Sequence, residues 1–480
     1  MKKINFLILL LLLINHISSL SAQFTTTQKD KVLQLLKYPS AKYDLAISFQ
    51  ASYYYLDNTK DSLDNLSSTE LLKKITNTPK DAPIYAKLAL QKYKENSNDE
   101  QGKEYFIKTI DAYQTQINNE PDNIIPIEKL IDFTNEVRNG EILKKAIDYA
   151  LQIFPNKISI LLYAANFHLN YDRDFQKVQN YIDICFQIEP YNLSAIVLQL
   201  SVNQMLTLQS MQSPQKVIFD ISIADKFLKE KPNEIVAQHL YHYAQISNIY
   251  ITTFSALLSD TSIKNMENPF DFIKLDKKQI KIIKEAENFL LKNSKNNTKY
   301  KGLMLQNLGF IAAFEKKYSK AVQLYNQYFE ETKDISGLES CILLCYLQKD
   351  FKKAVLYAEK RLQQQKDLKT SAILVRLYKE VNQNQNIKKT IESIDKMNDN
   401  AEKIKTETLA VYHLFNKNTE KAMNYINELV DNQEGRITEL QMIAFVLADN
   451  TEEVKQKIQK MIAQNPKDEK IIKIKKILNF

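Results

Sequence analysis

The chain has 480 residues but only 6 glycines and 11 prolines, and charged residues interleave with apolar ones throughout. This composition disfavours folds that need many tight β-turns and favours long helices joined by short turns. The formal net charge of +8 becomes +6 without Lys2 and Lys3, because residues 1–22 contain no acidic side chain. No basic run alternates with aromatic residues, which argues against a nucleic-acid groove.

The first predicted element is a secretory signal peptide over residues 1–22. Lys2 and Lys3 precede the apolar run FLILLLLLI, and small residues follow at Ser21 and Ala22. A run of this length is shorter than the roughly 20 residues that span a bilayer. We therefore expect export, to the periplasm or the extracellular space if the source is bacterial. An uncleaved anchor extending to Leu20 is the alternative.

Prolines then mark a helical repeat. Pro121, Pro155 and Pro190 are 34 and 35 residues apart, and each follows an amphipathic run, so each marks the end of a helix. Similar punctuation returns at Pro232 and Pro466. Between these stops, short polar turns such as FEKKYSKA and LQKDFKKA join one helical run to the next. The repeating unit is helix, short turn, helix and longer turn, with a period near 34.

Small residues recur twelve positions apart across the short turn. Gly309 and Ala321 form one such pair, and Ala410 and Ala422 form another. Antiparallel helices about 8–10 Å apart leave room only for small side chains where their axes cross. We therefore expect each pair to mark a close contact between the two helices of one hairpin.

The segment LQNLGFIAAFEKKYSKAVQLYNQYF, which contains the first of these pairs, resembles a tetratricopeptide repeat. The resemblance is carried by Leu308, Gly309, Tyr318, Ala321 and Tyr325. The chain departs from the family pattern because it contains no tryptophan and has no proline after this unit. Several degenerate units in phase indicate the family more strongly than one unit would.

The resemblance implies an all-α fold, an α/α superhelix (solenoid) of roughly ten tetratricopeptide-like helical hairpins. The irregular stretch around Pro269 is the expected boundary between two arrays. The predicted domains are a signal peptide at 1–22, a divergent N-terminal array at 23–254, an irregular connection or insertion at 255–279, and a C-terminal array with a capping helix at 280–480.

Cysteines and histidines are the residues most easily mistaken for catalytic or metal-binding groups. Cys341 and Cys345 are four residues apart and suggest a metal or redox pair. In the repeat register, however, both align with inward-facing positions of the first helix, as does His413, so we expect core packing. The chain has three cysteines, an odd number that does not make a disulfide framework.

His239 and His242 share a helical face and could form half of a zinc site. No third ligand is identifiable and HExxH is absent, so ordinary packing is the preferred interpretation. His168 lies beside a core position without an obvious partner. The sequence also lacks GxxxxGK[ST], GxGxxG and GxSxG. We expect no catalytic residue, no cofactor and no metal, and hence no enzyme.

The resemblance implies a scaffold that binds a protein or peptide segment along a concave face made by the first helices. Asn307 and Phe310 on the best-matching unit are candidate partner contacts. The adjacent Tyr53, Tyr54 and Tyr55 are candidates too, because three consecutive aromatic residues cannot all face inward on a helix. Nucleic acid is not an expected partner, and no transmembrane segment is expected after the signal peptide is removed.

The last segment, KDEKIIKIKKILNF, has Ile471, Ile474 and Leu478 on one face and lysines opposite. We expect this helix to cap the array, although a basic amphipathic helix can also contact a membrane surface. The alternative to a scaffold is an exported nutrient-binding or hydrolytic all-α protein with an active region within 191–298.

Overall fold

The computed structural model describes residues 24–37, 63, 66–77, 81–95, 99–210, 220–258, 273–296, 300–396, 402–429, 434–464 and 469–479. Within these ranges every regular element is a helix, and no strand occurs. The predicted signal peptide, the Tyr53–Tyr55 cluster and Pro466 lie outside the described residues.

The α-helices of the described residues are numbered here in chain order. They are α1 Thr26–Leu33, α2 Ser68–Asn77, α3 Ala82–Glu95, α4 Glu100–Asn119, α5 Ile124–Glu136, α6 Gly140–Ile153, α7 Ile158–Phe167, α8 Phe175–Ile188, α9 Leu193–Ser210, α10 Ser222–Glu230, α11 Ile235–Leu258, α12 Lys277–Asn296, α13 Lys301–Phe314, α14 Tyr318–Thr332, α15 Ser336–Leu347, α16 Phe351–Gln364, α17 Leu368–Glu380, α18 Asn384–Asp395, α19 Glu402–Phe415, α20 Thr419–Glu428, α21 Glu434–Leu447, α22 Thr451–Gln464 and α23 Glu469–Leu478. A 3₁₀ turn at Gln34–Lys37 continues α1, and a π turn at His168–Asp172 follows α7.

Consecutive helices pack against each other as hairpins. The hairpin pairs are α3–α4, α5–α6, α7–α8, α13–α14, α15–α16, α17–α18, α19–α20 and α21–α22, and α12 also packs extensively against α13. In each pair the earlier helix is called the first helix and the later one the second helix. The predicted all-α fold of tetratricopeptide-like hairpins is therefore confirmed.

The helices belong to two compact units. The central unit contains α2–α14, and the terminal unit contains α1 together with α15–α23, so it includes helices from both ends of the described chain. The predicted domain boundaries stay a prediction, since residues 259–272 of the expected connection lie outside the described ranges.

The longer turns repeat one hydrogen-bonding pattern around the prolines that were predicted to mark helix ends. After α4, the N–H of Glu120 donates to the carbonyl of Gln116, and the N–H of Asn123 donates to the carbonyl of Glu120. The same two bonds recur at the turns that contain Pro155, Pro190 and Pro232. Each proline follows a helix end because it cannot donate the N–H that would continue the helix.

The short turns repeat a second pattern, which uses left-handed backbone at residues other than glycine. Its left-handed residues, with φ between 55° and 64°, are Arg138, Arg173, Lys316, Lys349, Asn382, Lys417 and Asp449. In six of these seven turns the next N–H donates to the carbonyl five residues earlier, as from Asp350 to Cys345. This closes the first helix as a Schellman motif does. Asn139, Asp174, Asp350 and Asn418 then cap the second helix with their side chains.

The small residues of the α13–α14 hairpin are closely packed, with one change from the expected contact. Gly309 and Ala321 are both buried. A β-carbon on Gly309 would lie 2.9 Å from Cε2 of Tyr325, closer than real side chains approach. The nearest neighbour of Gly309 is thus the ring of Tyr325, one helical turn beyond Ala321, and the glycine makes room for that ring.

Candidate functional site

A groove of about 640 Å³ lies between α7, the first helix of its hairpin, and α9, the helix that follows this hairpin in the central unit. Its volume falls within the range of ligand-binding pockets. The aliphatic side chains of its lining are Ile158, Leu162, Ile188, Leu193, Val197 and Leu198. The polar part includes Asn156, Asn166, Asn192, Ser194 and Ser201, and the two charged residues of the lining are Lys157 and Glu189.

The polar groups at the edge of this groove are held by the repeat turns. Asn192 accepts a hydrogen bond from the N–H of Ala195 at 3.1 Å and donates to Glu189 at 3.0 Å, which fixes the start of α9. Tyr163 donates to the carboxylate of Asp132 on α5, the preceding first helix. The groove is therefore preorganised, because its rim groups are oriented before any ligand arrives.

One polar atom in the groove lining has no internal partner. The hydroxyl oxygen of Ser159 is shielded from water and makes no hydrogen bond within the described structure. A buried polar group in this state costs free energy that a ligand hydrogen bond can recover. The Ser159 hydroxyl is therefore an unsatisfied buried group beside the groove, and a ligand can reach it only if neighbouring groups move.

The terminal unit presents a different first-helix surface, because residues 24–37 cover it. Helix α1 packs against α21 and α23, and the 3₁₀ turn at Gln34–Lys37 contacts α17. Phe24, Val32, Leu33 and Leu36 are buried in the core cluster of that unit. In the terminal unit the surface that the sequence assigned to a partner is thus filled by the chain itself.

Asn307 and Phe310 are almost completely buried, with 1% and 2% of their surfaces exposed. The amide of Asn307 lies 2.8 Å from Nε2 of His239, and the ring of Phe310 packs edge-on against Tyr250 at 5.1 Å. A partner can contact neither side chain unless neighbouring groups move. Their role in binding stays a prediction that this burial does not favour.

His239 and His242 occupy different surroundings although they are three residues apart. His239 is buried, and burial lowers its pKa to about 3. His242 packs against the ring of Phe289, and burial again lowers its pKa. Within the described residues no group of three or more His, Cys, Asp or Glu side chains is placed to hold a metal ion. The preferred interpretation of packing fits this geometry.

Cys341 and Cys345 are buried free thiols, as predicted, and Cys185 is buried and free as well. Burial raises the pKa of Cys185 to about 11 and that of Cys345 to about 12. A thiol with so high a pKa is protonated near neutral pH and unreactive as a nucleophile. These residues fill the core of their hairpins.

The other two histidines of the described residues, His168 and His413, have partners that the sequence analysis did not identify. Nδ1 of His168 lies 2.8 Å from the carboxylate of Asp172, and its ring stacks on Tyr181. His413 is half-buried and stacks on Tyr425, with its pKa lowered by burial and by Lys421. The spacing of four between His168 and Asp172 was visible in the sequence as a helical pair, whereas the stacking required the fold.

Charged side chains are buried between helices of the terminal unit. Arg376 on α17 pairs with Glu407 on α19 at 2.8 Å, with 3% and 11% of the side chains exposed. Arg361 pairs with Glu339 and Asp367. These pairs join neighbouring helices, so they could not be predicted from a local sequence pattern.

The C-terminal helix α23 contacts α1 and α22 and packs Ile474 and Leu478 into the core of the terminal unit. The capping role stays a prediction, and the side chain of Ile471 lies outside the described part of this helix. Among the described helices none combines the length and apolar character needed to cross a membrane.

No family model matches the sequence, and no curated protein is significantly similar to it. The fold is similar to Cut9 in the APC/C Cut9–Hcn1 heterotetramer, at 14% identity over 88% of this chain and 85% of that chain, with a TM-score of 0.37. It is also similar to the human IFIT1 dimer with PPP-AAAA, at 11% identity over 88% and 99%, with a TM-score of 0.36. A monomeric IFIT1 mutant with m7Gppp-AAAA has 9% identity over 91% and 99%, with a TM-score of 0.40. At these scores, the chain's own helix pairing is the basis of the fold assignment.

Proposed function

We propose that this chain is an exported, non-catalytic scaffold of the cell envelope that binds a protein or peptide segment through its first helices. The observation that carries the proposal is the open groove between α7 and α9, about 640 Å³ in volume, with an apolar lining and oriented amides at its rim. Hairpin arrays present such grooves to extended or helical segments, which bind through apolar anchors and backbone hydrogen bonds.

The lining specifies the kind of segment. Lys157 and Glu189 are the charged residues of the groove and carry opposite charges, so its charge is balanced. A segment with two or three aliphatic or aromatic side chains and little net charge fits this surface. Nucleic acid fits it poorly, because phosphate binding needs several cationic contacts and this groove offers one lysine.

Export is proposed from residues 1–22, whose charged, apolar and small-residue regions are ordered as in a signal peptide. The expected mature protein begins at Gln23. N-terminal sequencing of the protein from a fractionated native source tests this point. Recovery of the intact Met1 end from the cytoplasmic fraction would overturn export without affecting the groove.

Photo-crosslinking in native cell envelopes tests the groove. A photoreactive residue at Leu162 or Val197 should capture a discrete protein, because both side chains line the groove. The same probe at Ile107, which is 58% exposed on the second helix α4, is the matched control. Ser194→Trp should fill the groove and lower affinity for the captured protein about tenfold or more. Equal capture from Ile107 and Leu162, or no capture, would contradict the proposal.

The alternative of a nutrient-binding or hydrolytic protein is tested by the same preparation. The described residues of 191–298 form α9–α12, helices of the same kind as the rest of the array. A polysaccharide, metal ion or small molecule that raised the melting temperature by several degrees would favour the alternative, because preferential binding to the folded state stabilises it. An oligoribonucleotide in the same assay tests the expected absence of nucleic-acid binding.

A further inference from the structure

Residues 24–37 form a short helix that carries its own folding signals. Thr25 caps it by accepting a hydrogen bond from the N–H of Gln28 at 3.2 Å, and the side chain of Gln28 accepts from the N–H of Thr25 at 2.9 Å. This reciprocal capping box fixes the helix start from within the segment. The segment is thus a defined amphipathic helix rather than an extension of a neighbouring element.

One face of this helix supplies the apolar contact with the terminal unit. Phe24, Val32, Leu33 and Leu36 are each at most 9% exposed. They join the core cluster that also contains side chains of α19–α23, such as Leu440, Ile443, Ile474 and Leu478. Grooves bind amphipathic helices through apolar anchors three, four or seven residues apart, and Val32, Leu33 and Leu36 have the spacings of three and four.

Two adjacent charges of the helix meet two successive short turns. Lys29 pairs with Asp449 at 2.6 Å, and Asp449 also accepts a hydrogen bond from the N–H of Phe24 at 2.9 Å. Asp30 lies 3.3 Å from Lys417. Asp449 and Lys417 are the left-handed residues of the α21–α22 and α19–α20 turns. The helix is therefore oriented by a matched pair of opposite charges as well as by its apolar face.

The chain connection does not by itself impose this contact. Lys29 and Asp449 are 420 residues apart in the sequence. Bringing such distant residues together costs chain entropy, and the interface has to repay that cost. The surface on α17, α21 and α23 is therefore a binding surface for this helix in the ordinary sense, with its own complementarity.

We propose that this surface is a docking site for an amphipathic helix of a partner protein, and that residues 24–37 are an internal ligand that the partner displaces. The partner helix has an apolar residue before a Ser or Thr cap, a basic residue followed by an acidic one in its first turns, and aliphatic residues matching Val32, Leu33 and Leu36. This goes beyond the proposed function, because it concerns a different unit and a surface that is already covered.

The chain contains no tryptophan, so a single introduced tryptophan reports on the segment alone. Phe24→Trp in the full chain places the reporter at the buried end, and Leu33→Trp is a second reporter if the first disturbs folding. Adding an unlabelled peptide of residues 24–37 should shift the emission saturably to the red, as the resident tryptophan moves into water. The same peptide with Val32→Asp and Leu36→Asp should leave the emission unchanged.

Charge variants test whether the displacement uses this surface. Lys29→Glu in the chain should lower the peptide concentration at half-displacement about threefold, the size of effect that a partly exposed ion pair gives. Lys31→Glu makes the same charge change at an exposed position of the same helix and should leave that concentration unchanged. A Lys29→Glu peptide should displace the segment from an Asp449→Lys chain better than the wild-type peptide does.

Two results would overturn the proposal. Emission that stays constant up to about 1 mM peptide, the scale of effective concentration set by a tether, would make the segment a fixed part of the fold. A red shift without peptide that depends on protein concentration, together with a doubled mass, would assign the surface to a second copy of the chain. Neither result bears on capture by the α7–α9 groove, so the two proposals fail separately.

Discussion

The central and terminal units are built from similar hairpins, but a helix surface that is open in the central unit is covered in the terminal unit. Between α7 and α9 the central unit has an open groove, whereas α1 and the 3₁₀ turn cover α17, α21 and α23 in the terminal unit. The hairpins form the surface in both units, and in the terminal unit residues 24–37 cover it. An open groove can be tested by capture, and a covered one by displacement.

The largest expected effect is on the covered unit, through the buried Arg376–Glu407 pair. Arg376→Met leaves the Glu407 carboxylate buried without its counter-charge, which should cost about 3–5 kcal/mol of unfolding free energy. Urea unfolding followed by the Phe24→Trp reporter measures this loss. The double variant Arg376→Met/Glu407→Met should recover most of it, and capture by the α7–α9 groove should persist. A loss below about 1 kcal/mol in the single variant would show that the pair is not desolvated.

In the central unit, Gly309→Leu should destabilise the fold by about 1–3 kcal/mol through overpacking. The physical reason is the ring of Tyr325, which a β-carbon at Gly309 would already approach at 2.9 Å. Gln323→Leu on α14 adds a similar side chain at an exposed position and should change stability by less than about 0.5 kcal/mol. Identical melting curves for the two variants would refute the packing register.

The central unit should also lose stability in acid because of His239. Its pKa is lowered to about 3, so the folded state stays neutral while the unfolded state takes up a proton below its ordinary pKa of 6.5. The unfolded state then binds more protons, and stability falls as the pH drops from about 6.5 towards 3. The loss at pH 5 should be about 2 kcal/mol.

His242, whose pKa is also lowered, should add to this effect in the same direction. Unfolding free energies of the wild type and of His239→Gln between pH 7.5 and about 5 measure the contribution. The pH slope should be shallower in the variant, whatever its absolute stability. A parallel pair of profiles would show that His239 does not carry the acid sensitivity.

The smallest expected effect is a gain in either unit from relieving left-handed backbone. Arg138→Gly and Lys349→Gly should each stabilise their unit by about 0.5–1 kcal/mol, because glycine adopts positive φ without the steric cost that a β-carbon adds. Leu356→Gly, at an exposed position inside α16, should instead destabilise by about 1 kcal/mol. Thermal melts distinguish the signs, and a loss at both turn positions would mean that these side chains stabilise the turns.

The sequence predicted the hairpins because their signals are local and repeated. Pro121, Pro155 and Pro190 end helices as expected, and Cys341 and Cys345 are core residues as their register indicated. The short turns were located only approximately, because glycine usually marks left-handed backbone and here lysine, arginine, asparagine and aspartate take its place.

The candidate site was less accessible from the sequence because it depends on what covers each surface. Asn307 and Phe310 were chosen on one repeat considered alone, and both are enclosed by neighbouring elements. The docking of Phe24 against Asp449 joins residues more than four hundred positions apart, which no periodic pattern reveals. No sequence motif marks the α7–α9 groove, because its medium-sized aliphatic and polar lining residues follow the same helical pattern as other helices of the array.

The left-handed turn residues also determine how the terminal unit holds residues 24–37. Lys29 and Asp30 are neighbours in one helix, yet their counter-charges, Asp449 and Lys417, are one full repeat apart. Two adjacent residues of helix α1 therefore contact the short turns of two successive hairpins. In these two turns, the charge of the left-handed residue therefore matches the opposite charge that residues 24–37 present to it.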